Sequence, residues 1–212
     1  MLIFWDIETR ADDRAEAYYA AKVYEAPSNY VDPVKIAAAI EKERKADKAK
    51  AGLKWWTGAV CCITAQTERG DRFAMVGNDE TTILRAFFDW CRGHESEGQC
   101  SYVAKNGSEF DTPFTIGRAM ATLSPLPYQF SGKAAKVPLK DLDSIWGWGK
   151  HGQMGKLSDY AWGLGFEQGK LSHGSFVQGM YDRAEFAEIK TYCEQDTALV
   201  AQIVGIWLEV TQ

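Results

Sequence analysis

The chain has 212 residues, of which 46% are hydrophobic and 25% charged. These are the proportions of a globular protein with a substantial core, and they exclude a wholly disordered or fibrous chain. Its net charge of −5 excludes indiscriminate coating of nucleic acid, although metal ions can bridge carboxylates to phosphates locally.

No apolar run approaches the roughly 20 residues of a membrane helix. The start, Met1-Leu2-Ile3-Phe4-Trp5-Asp6, has no basic flank and reaches an acid at once, unlike a secretory signal. The expectation is a single domain over 1–212, cytoplasmic and without membrane contact. Cys61, Cys62, Cys91, Cys100 and Cys193 form no CxxC pair and read as reduced, buried thiols.

Residues 2–7, almost all apolar, predict a strand buried on both faces. Residues 10–56 are far longer than a hairpin connection. They contain strong helix formers over 35–50, which predicts a helical insertion. Strands follow at 59–65 and 72–76, joined by a turn at Glu68-Arg69-Gly70-Asp71. A helix over about 80–92 is capped by Asn78 or Asp79. Residues 100–104 predict a fourth strand, and Thr112-Pro113 opens a helix with Pro at its first position. A loop at 124–136 precedes a fifth strand at 137–143, and a helix over about 183–210 closes the chain, with Asp182-x-x-Glu185 as its capping box. The pattern predicts an α/β protein, a mixed five-stranded sheet with helices on both faces.

Leu2, Phe4, Asp6 and Glu8 share one face of the first strand, so two carboxylates stand together at its carboxyl end. They repel each other unless one is protonated or a cation lies between them, and strand carboxyl ends are where open α/β sheets bind ligands. The plainer reading is a solvated strand end. Asp111 lies at a predicted helix start, where the helix dipole alone would favour an acid. Tyr192 and Asp196 are neighbours on one helix face that continues into Leu199 and Ile203. An Asp on a core-directed face is costly unless it is paired or binds metal; the alternative is a solvated edge. Together these elements supply four carboxylates and a phenol. Paired divalent ions about 3.5–4 Å apart, held by such a set, perform in-line phosphoryl displacement.

At these residues the chain resembles the DEDD superfamily of 3′–5′ exonucleases, tyrosine subgroup, which have the ribonuclease H-like fold. Asp6-Ile7-Glu8-Thr9 matches the first motif. Asn106 through Phe110-Asp111 resembles the second motif of the proofreading exonuclease of family-B DNA polymerases, and Tyr192-x-x-x-Asp196 matches the third. The resemblance implies a metal-dependent 3′–5′ exonuclease acting on a single-stranded or frayed 3′ end, DNA by analogy with family B. Asp6 would bridge two divalent ions, Mg or Mn. Glu8 and Asp196 would hold the nucleophile-side ion, and Asp111 the other. Tyr192 would hydrogen-bond the attacking water, while Thr9, Asn106 and Phe110 would contact the terminal nucleotide. The rivals are an RNA-trimming exonuclease, and a non-catalytic protein that binds nucleic acid or a partner on the same fold. A chain of 212 residues has no room for polymerase palm, fingers and thumb. It therefore resembles a free-standing phage or bacterial exonuclease, or an exonuclease subunit whose 10–56 segment docks a replication or repair partner.

Two further segments carry a functional and a plainer reading. Lys35, Lys42, Arg44, Lys45, Lys48, Lys50 and Lys54, followed by Trp55-Trp56, form either a basic arm guiding a strand or a solvated helix docked by its tryptophans. The second reading is favoured, because Glu41, Glu43 and Asp47 dilute the charge. Trp146, Trp148 and Trp162 with nearby glycines, Lys150 and Lys156 form either a substrate lip or a packed loop. His151 and His173 have no ligand-like spacing.

Overall fold

The computed structural model describes residues 1–130, 140–147, 155–166 and 174–211. The sheet has the order β3-β2-β1-β4-β5. Central β1 (Leu2–Ala11) is antiparallel to β2 (Gly58–Thr67), which is antiparallel to β3 (Arg72–Val76). On its other side β1 runs parallel to β4 (Ser101–Ala104). These four strands carry the sheet. Of the fifth expected strand, 137–143, residues 137–139 lie outside the described residues; Lys140–Asp141 pair with β4 as β5, and α5 (Leu142–Gly147) starts immediately after them.

The alternation in β1 sorts its side chains as the period of two requires. Ile3, Trp5 and Ile7 enter one core with Ile83, Leu84, Phe87 and Phe88 of α3 (Glu80–Glu97) and Phe114 of α4 (Asp111–Thr122). Trp5 stacks on Phe87 with ring centroids 5.6 Å apart. Leu2 and Phe4 face the opposite side, against Val200, Ile203 and Val204 of α8 (Phe186–Val210) and Leu157 of α6 (Leu157–Gly163). Helices therefore cover both faces. Among the described residues, no helix is long and apolar enough to cross a membrane.

The Glu68–Asp71 turn forms as expected, closed by Thr67 N–H donating to the Asp71 carbonyl at 2.8 Å. Gly70 takes the left-handed φ of 97° that the turn needs. Asp79 caps α3 through the Thr82 amide at 3.1 Å. Three boundaries depart from expectation. The helix after the fourth strand starts at Asp111, so Pro113 is third rather than first; an N–H there would also lack a helical acceptor. The C-terminal helix is α8, starting at Phe186 rather than 183, and an unpredicted helix, α7 (Val177–Asp182), precedes it, with Ala184 between them at φ 55°. The proposed capping box does not form: Asp182 accepts from Gln178, and Glu185 pairs with Arg183 at 2.7 Å. The insertion begins later than residue 10, because β1 runs on to Ala11.

The insertion contains α1 (Ala15–Ala21), α2 (Pro33–Lys48) and a 3₁₀ turn, Ala51–Leu53. Its basic residues are largely met by acids. Arg44 and Lys45 pair with Glu41, Lys48 with Glu16, and Lys22 and Lys54 with Asp47. Trp55 seats its indole on α4, where a Cβ at Gly117 would lie 2.5 Å from the ring. This is the docked, solvated helix and not a free basic arm. The glycine-rich stretch lies mostly outside the described residues, including Trp148, Lys150 and His151, as does His173.

A buried charge network fastens the insertion. Arg118 of α4 donates to both Glu80 oxygens, at 2.9 Å to Oε1 and 2.6 Å to Oε2, and to Asp12 at 2.9 Å. Glu80 also accepts the Val60 amide at 2.6 Å. Arg118→Met would leave Glu80 buried without its cation, while Asp12 keeps Arg14, and should cost on the order of 3–5 kcal/mol of stability, read by urea denaturation. A loss below 1 kcal/mol would show that the network holds nothing.

Candidate functional site

The first two acids are aimed by the register of the central strands. Asp6 lies opposite Thr64 and Glu8 opposite Cys62, on the face covered by α8. Between Glu8 and Thr9 the register slips, because β2 carries one extra residue, Cys61. Such a bulge twists the strands locally and turns the side chains beside it. The Cys61 thiol donates to the Glu8 carbonyl at 3.4 Å, which fixes the kink.

Helix α8 brings the third motif to the same place. Its buried stripe is Ile189, Tyr192, Cys193, Asp196, Thr197, Val200, Ile203 and Val204, the spacing of one helix face. The Thr64 and Thr197 hydroxyls meet at 2.6 Å, and the Thr64 hydroxyl also donates to the Cys193 carbonyl at 3.0 Å. The Cys193 thiol donates to Asp6 Oδ2 at 3.3 Å. Asp196 is therefore on the core stripe, where it meets the strand acids.

Asp111 arrives from the other side. Strand β4 pairs β1 only as far as Phe4–Val103, so the Ile7 N–H lies beyond that ladder. It donates to Asp111 Oδ1 at 3.3 Å, which gives a buried amide its acceptor. The preceding loop is clamped by Asp141, which accepts from the Asn106 amide at 3.0 Å and the Ser108 amide and hydroxyl at 2.9 and 2.7 Å. Asn106 takes a left-handed φ of 59°, which Asn tolerates better than most residues.

Asp6, Glu8, Asp111, Tyr192 and Asp196 line one cavity of about 310 Å³, together with Asn106, Phe110, Lys105 and Lys156. The structure thus brings together all the sequence-derived candidates except Thr9. The Thr9 hydroxyl donates instead to the Gly52 carbonyl at 2.6 Å, and the residue lines a neighbouring groove. Three participants were missed. Cys193 is hidden between the two residues of the third motif. Lys105 pairs with Asp143 at 2.8 Å, and Asp141 holds the loop. A signal existed for Asp141, because Asp141-x-Asp143 repeats the spacing of Asp6-x-Glu8.

The electrostatics are those of crowded acids. Burial raises the Asp6 pKa well above the ordinary value, and Glu8, Asp111 and Asp196 raise it further; the Cys193 thiol opposes them. Asp111 is pushed up to about 7, chiefly by burial, against the lowering effect of the Ile7 amide. Tyr192 is raised by burial and by Asp196, to which it is hydrogen-bonded, so its phenol stays protonated through the neutral range. Asp6, Glu8 and Cys193 can bring one donor atom each within 4.8 Å of one another. A hard divalent ion takes oxygen ligands, and burial keeps the Cys193 thiol protonated. The carboxylates fit such an ion, and the thiol serves as a donor to one of them.

No family model matches the chain, and no curated protein does. Among solved structures 17 chains match. One is the family B DNA polymerase from the hyperthermophilic archaeon Pyrobaculum calidifontis, with a TM-score of 0.60 and 17% identity over 99% of this chain. This chain spans 24% of that polymerase chain's length. At this identity the likeness shows a shared fold.

The raised Asp111 pKa has a signed consequence. The folded state holds a proton that the unfolded state releases near pH 4, so metal-free stability should fall as pH rises between about 4 and 7. Divalent ions should restore it at pH 8, by about 2.7 kcal/mol at a hundred times their dissociation constant. Asp6→Asn should raise metal-free stability at pH 8 and remove the metal response. Thermal denaturation with chelator, Mg²⁺ or Mn²⁺ reads all three, and a metal response that survives Asp6→Asn would place the ion elsewhere.

Proposed function

We propose that this chain is a 3′–5′ exonuclease of the tyrosine DEDD type. It hydrolyses phosphodiester bonds at single-stranded or frayed 3′ ends, DNA in preference to RNA, with two divalent ions, Mg²⁺ or Mn²⁺. One observation carries the reading: acids from β1, α4 and α8 and one phenol face a single cavity, in a fold shared with part of a family B DNA polymerase chain.

When bound, the ions supply an activated water, charge neutralisation at the phosphate and stabilisation of the leaving 3′ oxygen. Asp6 would be the ligand common to both ions, since the neighbours that raise its pKa most after burial are the other three acids. Glu8 and Asp196 would hold the ion on the nucleophile side and Asp111 the ion on the leaving-group side. Tyr192, a neutral donor beside Asp196, orients the attacking water. Asn106, pinned through its backbone by Asp141, and Phe110 position the terminal nucleotide. Lys105 is neutralised by Asp143 and steadies the loop.

The test is a 5′-labelled strand of DNA or RNA incubated with Mg²⁺, Mn²⁺ or chelator. A ladder stepping down from the 3′ end should appear with metal and vanish with chelator. Asp6→Ala and Asp196→Ala should each lose about a thousandfold or more in rate. Tyr192→Phe should lower kcat about 10- to 100-fold with KM unchanged. Full activity in Asp196→Ala would sink the reading, and an equal ladder on RNA would remove the DNA preference.

A further inference from the structure

Helix α2 of the insertion has two unlike faces. Ile36, Ile40, Arg44 and Asp47, all half-buried, recur at the spacing of one face and form the inner one. Ile40 packs against Ala15, Tyr19, Tyr24 and Ala51. The Arg44 guanidinium lies over the Tyr24 ring, 5.6 Å from its centroid. Asp47 accepts from Lys22 at 2.6 Å and from the Tyr24 hydroxyl at 3.2 Å. The helix cannot roll about its axis without breaking these contacts, so its other face has a fixed outlook.

That outer face holds Lys35, Lys42 and Lys45, interleaved with Ala38, Ala46 and Ala49, all exposed. At 3.6 residues per turn the six fall within about 100° of arc. No acid shares the arc: Glu41 and Glu43 stand on its two flanks, and Asp47 is engaged on the inner side. Among the described residues no carboxylate pairs with Lys35 or Lys42, and Lys45 reaches Glu41 only at 3.8 Å with 77% of its side chain exposed. In a chain of net charge −5, this is a face of lysine and alanine alone. Alanine between the lysines leaves nothing to hold an extended polyanion off the helix. The face is also aimed with respect to the acids. Of α2 only Lys48 lines the groove that contains Glu8. The helix therefore leads away from that groove, and Lys45, Lys42 and Lys35 follow one another along about 20 Å of it.

We propose that the outer face of α2 binds the sugar–phosphate backbone of a single nucleic-acid strand, several nucleotides 5′ of the end held at the acids. This rests on the nuclease reading above, and it gives the insertion a role in substrate length. Lysine contacts to phosphate are blind to sequence and draw their strength from counterion release. The face therefore grips a strand long enough to reach it, whatever its bases, and leaves a very short strand to the acid cavity alone.

Fluorescence anisotropy on the whole chain, in chelator, reads the binding of 5′-labelled single strands of about 4 and about 16 nucleotides, a range of site sizes that single-strand binders cover. The wild type should bind the longer strand at least tenfold more tightly. Replacing all three lysines together, Lys35→Gln, Lys42→Gln and Lys45→Gln, should weaken binding of the longer strand about 10- to 100-fold and reduce the slope of log affinity against log salt by about 2, the share of three phosphates. It should also erase most of the advantage of length. The triple arginine replacement keeps the charge and should bind as the wild type does; an equal loss there would overturn the proposal. So would a glutamine variant with wild-type affinity and salt slope, which would leave the face to an acidic protein partner. The same strands with Mn²⁺, run as a ladder, separate this inference from the one beneath it. Lysine-dependent binding without any ladder would sink the nuclease reading and keep the strand surface, whereas a ladder without lysine-dependent binding would sink the surface alone.

Discussion

Asp6 is placed on a central strand so that Glu8, Asp111 and Asp196 all act on it, and all three make its ionisation harder. The penalty is large on the scale of a domain's stability. Holding Asp111 ionised at pH 8, when its pKa is about 7 rather than 3.8, alone costs on the order of 4 kcal/mol at about 1.4 per pH unit. A chain with a net stability of roughly 5–15 kcal/mol can hold such a cluster only if the surrounding contacts over-determine its geometry. The bulge at Cys61 fixes Glu8. The Thr64–Thr197 contact and the Cys193 thiol fix α8 over Asp6, and the Ile7 amide fixes Asp111. Each device makes a local bond whose consequence is the crowding of acids that repel one another. A divalent cation held among these carboxylates would relieve that repulsion.

The insertion obeys the same logic at a distance from the acids. Its own cluster is small, Ala15, Tyr19, Tyr24 and Ala51, too little apolar surface to hold two helices in place. It is instead tied to the body by polar contacts of fixed geometry: Arg118 to Asp12, Arg118 to the Trp55 carbonyl at 3.1 Å, and Thr9 to Gly52. Directional bonds set position more sharply than an apolar patch of equal strength. That matters because the tethered turn stands beside Glu8.

Much of this was legible in the residues. The period-two alternation of β1 correctly set Asp6 and Glu8 on one face, and the four-residue spacing of Tyr192 and Asp196 set them on the face of α8 that reaches the core. Both follow from local geometry, which a one-dimensional pattern records. What escaped depends on contacts between distant segments. The slip at Cys61 exists only because β2 pairs with β1. The break between α7 and α8 falls at Ala184, a residue whose identity gives no sign of a left-handed backbone. Asp182 and Glu185 had the spacing of a capping box, but nearer partners, Gln178 and Arg183, claimed them first. Thr9 sits within a site motif, yet its hydroxyl is spent on a turn more than forty residues away.

The two acid pairs of the chain show why spacing alone could not assign their roles. Asp6-x-Glu8 and Asp141-x-Asp143 are the same acid-x-acid pattern at the carboxyl ends of two strands of one sheet, each parallel to the β4 between them. Asp143 is answered by Lys105 at 2.8 Å and by the Tyr160 hydroxyl at 2.5 Å, and Asp141 by the amides of Asn106, Ser108 and Asp143. The chain supplies the positive charge and the donors, so that pair acts as a clamp. Asp6 receives a weak thiol donor and the company of three more acids. A carboxylate whose counter-charge is built into the fold is structural. A carboxylate crowded by its own sign gains from a cation supplied from outside, and this difference, invisible in the tripeptide, sets Asp6 and Glu8 apart as the acids that could hold a metal ion.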